Sequence, residues 1–206
     1  MTEARNERQA AKREQIASAA RKLFLAHGFA GTSMDAVTAE AGVSKQTLYR
    51  YFPTKVALLG DILYGGLNTL VLRPPDLSTL NTLTELRSSM VDFAVTVTHS
   101  LMRPEAVALV RLVLGEAFRV AELRQAFRDA LPGQMLARTE IVIRHGADKG
   151  LIVSTDPALT ARMFVGPLMT YVALDGFLSS EPSDPPSRTE LEAVIDAFLA
   201  GVMVKP

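Results

Sequence analysis

The chain has 206 residues, close to half of them apolar and about a fifth charged, with a formal net charge of zero. That composition predicts one large or two small globular domains with a proper core. Cysteine is absent, which excludes disulfides and thiolate metal sites. No apolar run approaches the roughly 20 residues of a membrane-spanning helix, and the polar start MTEARNERQAAKREQ has no signal-peptide core. The expectation is a cytoplasmic protein with no membrane partner.

The neutral total hides an asymmetry. Residues 1–55 hold nine Lys/Arg against five Asp/Glu, a net of +4; residues 56–206 hold 13 against 17, a net of −4. A basic end on an acidic body suits contact with a polyanion through that end, although chance can produce a difference of this size.

Residues 1–9 show no apolar periodicity and are expected to form a frayed arm. From Gln9 to His27 the apolar positions Ile16, Ala20, Leu23 and Phe24 recur at helical spacing, and Gly28 ends the pattern. Thr32 or Ser33 caps a short second helix, Met34 to Ala41. Ala41-Gly-Val-Ser44 then has the makings of a sharp corner. Gly42 can take the left-handed conformation, Val43 can plug the corner, and Ser44 can cap a third helix from Lys45 to Tyr51. Helix, corner and helix make a helix-turn-helix.

On the third helix Leu48 and Phe52 share one face and are expected in the core, with Arg50 and Gln46 opposite and Thr47 next to them. The helix carries cationic, amide, hydroxyl and phenolic groups, the kinds that meet phosphates and base edges. Lys45, Gln46 and Thr47 are therefore assigned to base edges, and Tyr49, Arg50, Tyr51 and Lys55 to phosphates. An equal reading of Tyr51 has it half-buried with a wet hydroxyl. Pro53 stops the helix, and Thr54 caps a long one from Lys55 to about Leu72.

Beyond a break at Arg73-Pro-Pro the pattern stays helical. Helices are expected over 80–102, 104–118 and 121–131, with a break at Pro132-Gly133, then over 134–149, 156–178 and 188–202. Asp156-Pro157 and Ser187-Arg-Thr-Glu190 supply caps. Helices 156–178 and 188–202 carry apolar residues around most of their circumference (Val165, Leu168, Val172 and Leu174; Leu191, Ile195 and Leu199). Either they form a two-fold homodimer interface, the preferred reading, or both lie inside the core of one chain.

The block Gly31-Thr-Ser-Met-Asp-Ala-Val-Thr-Ala-Glu-Ala-Gly-Val-Ser-Lys-Gln-Thr-Leu-Tyr-Arg-Tyr-Phe-Pro-Thr-Lys55 resembles the N-terminal domain of TetR/AcrR-type transcriptional regulators. Leu109 to Phe118, Gly150-Leu-Ile and Asp156 to Phe164 resemble, more loosely, an AefR-like C-terminal domain. The resemblance implies an all-α homodimer: a three-helix helix-turn-helix domain, 1–54, and a helical-bundle domain for effector binding and dimerisation, 55–206. It implies DNA contacts at Ser33, Lys45, Gln46, Thr47, Tyr49, Tyr51 and Lys55. Gln46 departs from the small residue frequent at its position, so no base preference carries over.

The expected function is a regulator, most often a repressor, released from a pseudo-palindromic double-stranded operator by a small, largely apolar effector. The alternative keeps the DNA-binding end and makes the body a dimerisation or protein-interaction module without effector. No cofactor or metal is expected, since His27, His99 and His145 fit no metal-ligand spacing and no catalytic motif is present. Phe93, Glu116, Phe164 and Tyr171 are the candidate ligand contacts in the body, Glu116 as a polar group in apolar surroundings.

Overall fold

A computed structural model describes residues 2–71 and 76–202; for 2–5, 64, 66–71, 130 and 131 it describes the backbone alone. Met1, the Arg73-Pro-Pro break, Leu72 and the last four residues lie outside the described residues. Every extended element among the described residues is helical, in keeping with the all-α expectation.

The sharpest local rules act between residues 28 and 57. Gly28, at φ 74°, kinks α1 (Thr2–Gly31), and the turn beyond the kink brings the Phe29 ring to 5.6 Å from Phe24. Ser33, rather than Thr32, caps α2 (Met34–Glu40) by accepting a bond from the Ala36 amide. Thr32 is buried instead, and its hydroxyl donates to the carbonyls of Leu23 and Gly28. Gly42 adopts φ 60°, a conformation a side chain would strain. Ser44 then caps α3 (Lys45–Tyr51) through the Thr47 amide. Thr54 caps α4 (Lys55–Val71) through the Ala57 amide.

The remaining helices are α5 (Leu83–Leu101), α6 (Pro104–Ala117), α7 (Ala121–Arg128), α8 (Gln134–Asp148), α9 (Pro157–Thr170) and α10 (Arg188–Val202). Packing groups the chain into two units: residues up to 66 with 108–130, and 67–107 with 131 onward. In the first, Ile16, Phe24, Val37, Leu48, Phe52, Leu58 and Leu59 form one core with Leu109, Val113 and Leu123. Each such side chain removed from water contributes about 1.5–3 kcal/mol, so this core holds the short α2 and α3 far more firmly than their own helix propensity. Arg13 bridges to Asp61 and lies over the Phe52 ring, tying α1 to α4.

In the second unit α9 packs on α8, and α10 on α5. Two ion pairs fix α10 along α5, Arg87 with Asp196 and Arg188 with Asp92. Both are exposed and contribute little energy, but they set the register of the two helices.

Several expectations need correction. Residues 2–9 continue α1, because Ala, Arg, Glu and Gln favour helix even where no face is buried. α5 starts at Leu83 rather than Leu80, since Thr82 and Glu85 form a full capping box. Pro132-Gly133 does not interrupt the helical path: Asp129–Gly133 widens into a π turn, which accommodates a residue without an amide hydrogen. The end of the helix expected over 156–178 is likewise π-helical, Tyr171–Phe177. Phe118, the last residue of the helix expected over 104–118, lies just past α6 and is 83% exposed.

Candidate nucleic-acid interface and body cavity

α3 places its residues by the wheel that its sequence implies. Leu48 is fully buried and Phe52 nearly so, which anchors one face in the first unit's core. Lys45, Gln46, Tyr49 and Arg50 are exposed, and Thr47 is half-buried beside the Ser44 hydroxyl at 2.9 Å. Tyr51 is half-buried with the Arg50 guanidinium 5.2 Å over its ring. Ser33 is exposed at the start of α2, its hydroxyl oxygen already accepting from Ala36.

Two cations differ in their engagement. Lys45 is paired with Asp35 of α2 at 2.8 Å, and that hydrogen bond raises its pKa above the ordinary lysine value. The pair is open to water, so an arriving phosphate or base can compete for the ammonium at small cost. Lys55 is tied inward: its ammonium donates to the carbonyls of Phe29 (2.5 Å) and Thr32 (2.8 Å) and sits 4.4 Å from the Phe29 ring centre. Two of its three hydrogens therefore hold the α1–α2 corner, and one is left for a further acceptor. The sequence spacing gave no sign of this clamp, which depends on a contact 26 residues back.

The second unit has a cavity of about 550 Å³, open on one side, between α5, α8 and α9, within the size range of small-molecule sites. Of the four expected ligand contacts it brings together Phe93 and Phe164, whose ring centres are 6.0 Å apart. Glu116 and Tyr171 are not among its lining residues, and Glu116 belongs to the other unit. Polar groups that do line it were missed, the carboxylates of Asp76, Glu85 and Asp92 among them, with Ser88, Ser89 and Thr96 of α5 and Arg138 and Thr139 of α8. Arg138 lies 5.6 Å over the Phe93 ring, and burial pulls its pKa below the usual arginine value. The Thr139 hydroxyl is buried with no hydrogen-bond partner. No group of three or more His, Asp or Glu among the described residues is placed to hold a metal, and no described helix is long and apolar enough to cross a membrane.

Against known proteins, residues 16–62 match the model of bacterial regulatory proteins of the tetR family. Residues 88–201 match the AefR-like transcriptional repressor C-terminal domain. A helix-turn-helix transcriptional regulator of Mycobacterium tuberculosis is 24% identical over 178 residues, covering 85% of this chain and 79% of that protein. The solved structure of the flavonoid-responsive regulator FrrA is 30% identical, with a TM-score of 0.74, covering 96% of this chain and all of that one. A TetR transcriptional regulator from Agrobacterium tumefaciens shares the fold at 20% identity and a TM-score of 0.74, over 95% of this chain and 96% of the other. Two family models placed end to end over a helix-turn-helix and a helical bundle leave one assignment: the chain belongs to the TetR family of DNA-binding transcriptional regulators, with an AefR-like C-terminal domain, and is not an enzyme.

Proposed function

We propose that this regulator is a ligand-released repressor that binds a pseudo-palindromic operator as a homodimer in the cytoplasm. Residues 1–54 carry the DNA contacts, and residues 55–206 carry effector binding and dimerisation. The observation that supports this most is α3 itself, rooted by Leu48 and Phe52 while Lys45, Gln46, Tyr49 and Arg50 stand in solvent. In this reading Lys45, Gln46 and Thr47 enter the major groove and read base edges. Ser33, Tyr49, Arg50, Tyr51 and the remaining hydrogen of Lys55 hold phosphates.

Dimerisation rests on a narrower surface than the sequence suggested. Val165, Leu168, Val172, Leu191, Ile195 and Leu199 are buried within the chain itself. What remains outside is a stripe on α9 and its π-helical end: Leu159, Met163, Leu174 and Leu178, each more than half exposed. Ala193, Ala197, Ala200 and Gly201 of α10 are exposed small residues that permit close helix approach. A second copy related by a two-fold axis would cover both faces and form a four-helix contact.

The cavity between α5, α8 and α9 favours an effector-binding body over one that serves dimerisation alone. FrrA is flavonoid-responsive by name; a planar, largely apolar effector is the class we carry over. Effector in the cavity would prefer a dimer state whose two recognition helices no longer match successive major grooves about 34–36 Å apart. α4 and α6, each of which runs from one unit into the other, are covalent routes for such a shift. A preference of about 1–3 kcal/mol between the states alters operator affinity five- to 150-fold, roughly. Nuclease footprinting tests the reading: two protected half-sites related by a dyad are expected, and a single asymmetric half-site held by one chain would refute it.

A further inference from the structure

The two cations of α3 are differently placed. Arg50 lies over the Tyr51 ring, whereas the Lys45 ammonium is 2.8 Å from each carboxylate oxygen of Asp35. Asp35 stands in the first turn of α2, whose start is fixed by the Ser33 cap and whose body is rooted by the fully buried Val37. The other acid of α2, Glu40, is taken by Lys22 of α1. Asp35 is thus the α2 carboxylate that reaches across the corner to the first turn of α3. Both partners have side chains 65% exposed, so the pair meets whatever approaches that turn.

The consequence for DNA follows from charge. The first turn of a recognition helix is the part that enters the major groove. A bare ammonium there is drawn chiefly to phosphate, the dense negative charge of the duplex. Beside Asp35 the same ammonium presents no net charge, and a phosphate that takes it brings a second anion against the carboxylate. Guanine O6 and N7 are uncharged acceptors. Either can accept one of the three ammonium hydrogens while Asp35 keeps another. The pair is weak because it is wet, so its influence lies in where the negative charge stands, not in its strength.

We propose that Asp35 sets the specificity of Lys45, making it a reader of guanine edges instead of a holder of phosphate. On the reading that Lys45 enters the groove, Asp35 is a positioning residue that acts on DNA through the lysine. It lowers affinity for DNA of arbitrary sequence more than affinity for the operator, and so widens the gap between them.

Fluorescence anisotropy of the full chain across salt concentrations tests this with two duplexes. One is the sequence that wild type selects from random DNA; the other is a scramble of the same length and composition. Asp35→Asn keeps the shape of an exposed side chain and removes its charge. It should bind the scramble about threefold to tenfold tighter, with a salt dependence steeper by about one phosphate contact. Operator affinity should rise less, so the ratio of operator to scramble binding should fall about threefold or more. Asp35→Glu, which keeps the charge, should retain the wild-type ratio and slope. In a Lys45→Ala background, Asp35→Asn should raise both affinities alike and leave the ratio unmoved. The inference fails if Asp35→Asn changes neither ratio nor slope. It also fails if the ratio falls equally without Lys45, which would make Asp35 a reader in its own right. Lys45→Ala separates the two levels of the account. An unaltered ratio and preferred sequence in that variant would overturn the underlying reading of Lys45; a changed preference together with an indifferent Asp35→Asn would overturn the role of Asp35 alone.

Discussion

The recognition helix and the body cavity are both polar surfaces resting on apolar floors, but they are assembled in opposite ways. α3 takes its outward face from seven consecutive residues, and its orientation from one of them, Leu48, and from the next residue, Phe52. The cavity draws Phe93 from α5, Arg138 and Thr139 from α8 and Phe164 from α9, residues more than 70 positions apart at the extremes. The difference teaches where function can be moved. A surface presented by one helix can change its outward residues freely, whereas a surface built by convergence depends on every helix that frames it.

Separability on α3 gives the largest predicted effect. Leu48→Ala should cost about 2–5 kcal/mol and be seen as lost hydrogen-exchange protection across α1 to α3. Gln46→Ala, two residues away and fully outside, should stay within about 0.5 kcal/mol of wild type in the same measurement while changing the preferred DNA sequence. Equal destabilisation by both would erase the distinction between root and reader.

Lys55 sits on the boundary between the two kinds of residue. Its bonds to the Phe29 and Thr32 carbonyls predict that Lys55→Met costs about 1 kcal/mol in denaturant unfolding, besides weakening DNA binding. Arg50→Gln should leave stability alone and reduce the slope of binding against salt by about one phosphate contact.

The cavity predicts a reversal of sign. Thr139→Val removes an unpaired buried hydroxyl and keeps the shape, so stability of the free protein should hold or rise by up to about 1 kcal/mol. A clear loss of melting temperature would mean that the hydroxyl serves the fold.

The smallest effect concerns pH. Hydrogen bonds from Thr82 and Ser187 in the two capping boxes hold the Glu85 and Glu190 carboxyls below the usual glutamate range. Their stabilisation is fully present above the ordinary carboxyl pKa and is lost as pH falls through the lowered values in the folded chain. Acid titration of the Glu85→Gln and Glu190→Gln variants should show a slightly shallower loss of stability than wild type.

The helix-turn-helix was legible because its determinants are short-range. Gly42, Ser44 and Thr54 act within four residues of their own positions, and each does what its local chemistry requires, while Leu48 and Phe52 show their shared inner face by spacing alone. The body was legible as helices but not as a site. Apolar periodicity reports which face is covered, not by what, so Val165 and Leu191 suggested an outer surface while they fill an inner one. The same limit explains α1, whose first turns are helical though nothing packs on residues 6–10. Glu116 drew notice for its apolar neighbours in sequence, whereas Arg138 converges on Phe93 only through folding. Of the cavity, the phenylalanines could be picked out, as large apolar residues on helices expected to pack.

The central claim is that sequence choice lives in the first turn of α3 and symmetry in the pairing of two chains. Selection of bound duplexes from random DNA, run in parallel with wild type and the Lys45→Ala/Gln46→Ala double variant, measures both at once. Wild type should return an inverted repeat with half-site centres about one helical turn apart or a multiple of it, and the double variant should lose or alter the bases within each half-site. Recovery of the same sequence at the same strength by the double variant, or of a motif without a dyad, would contradict the account.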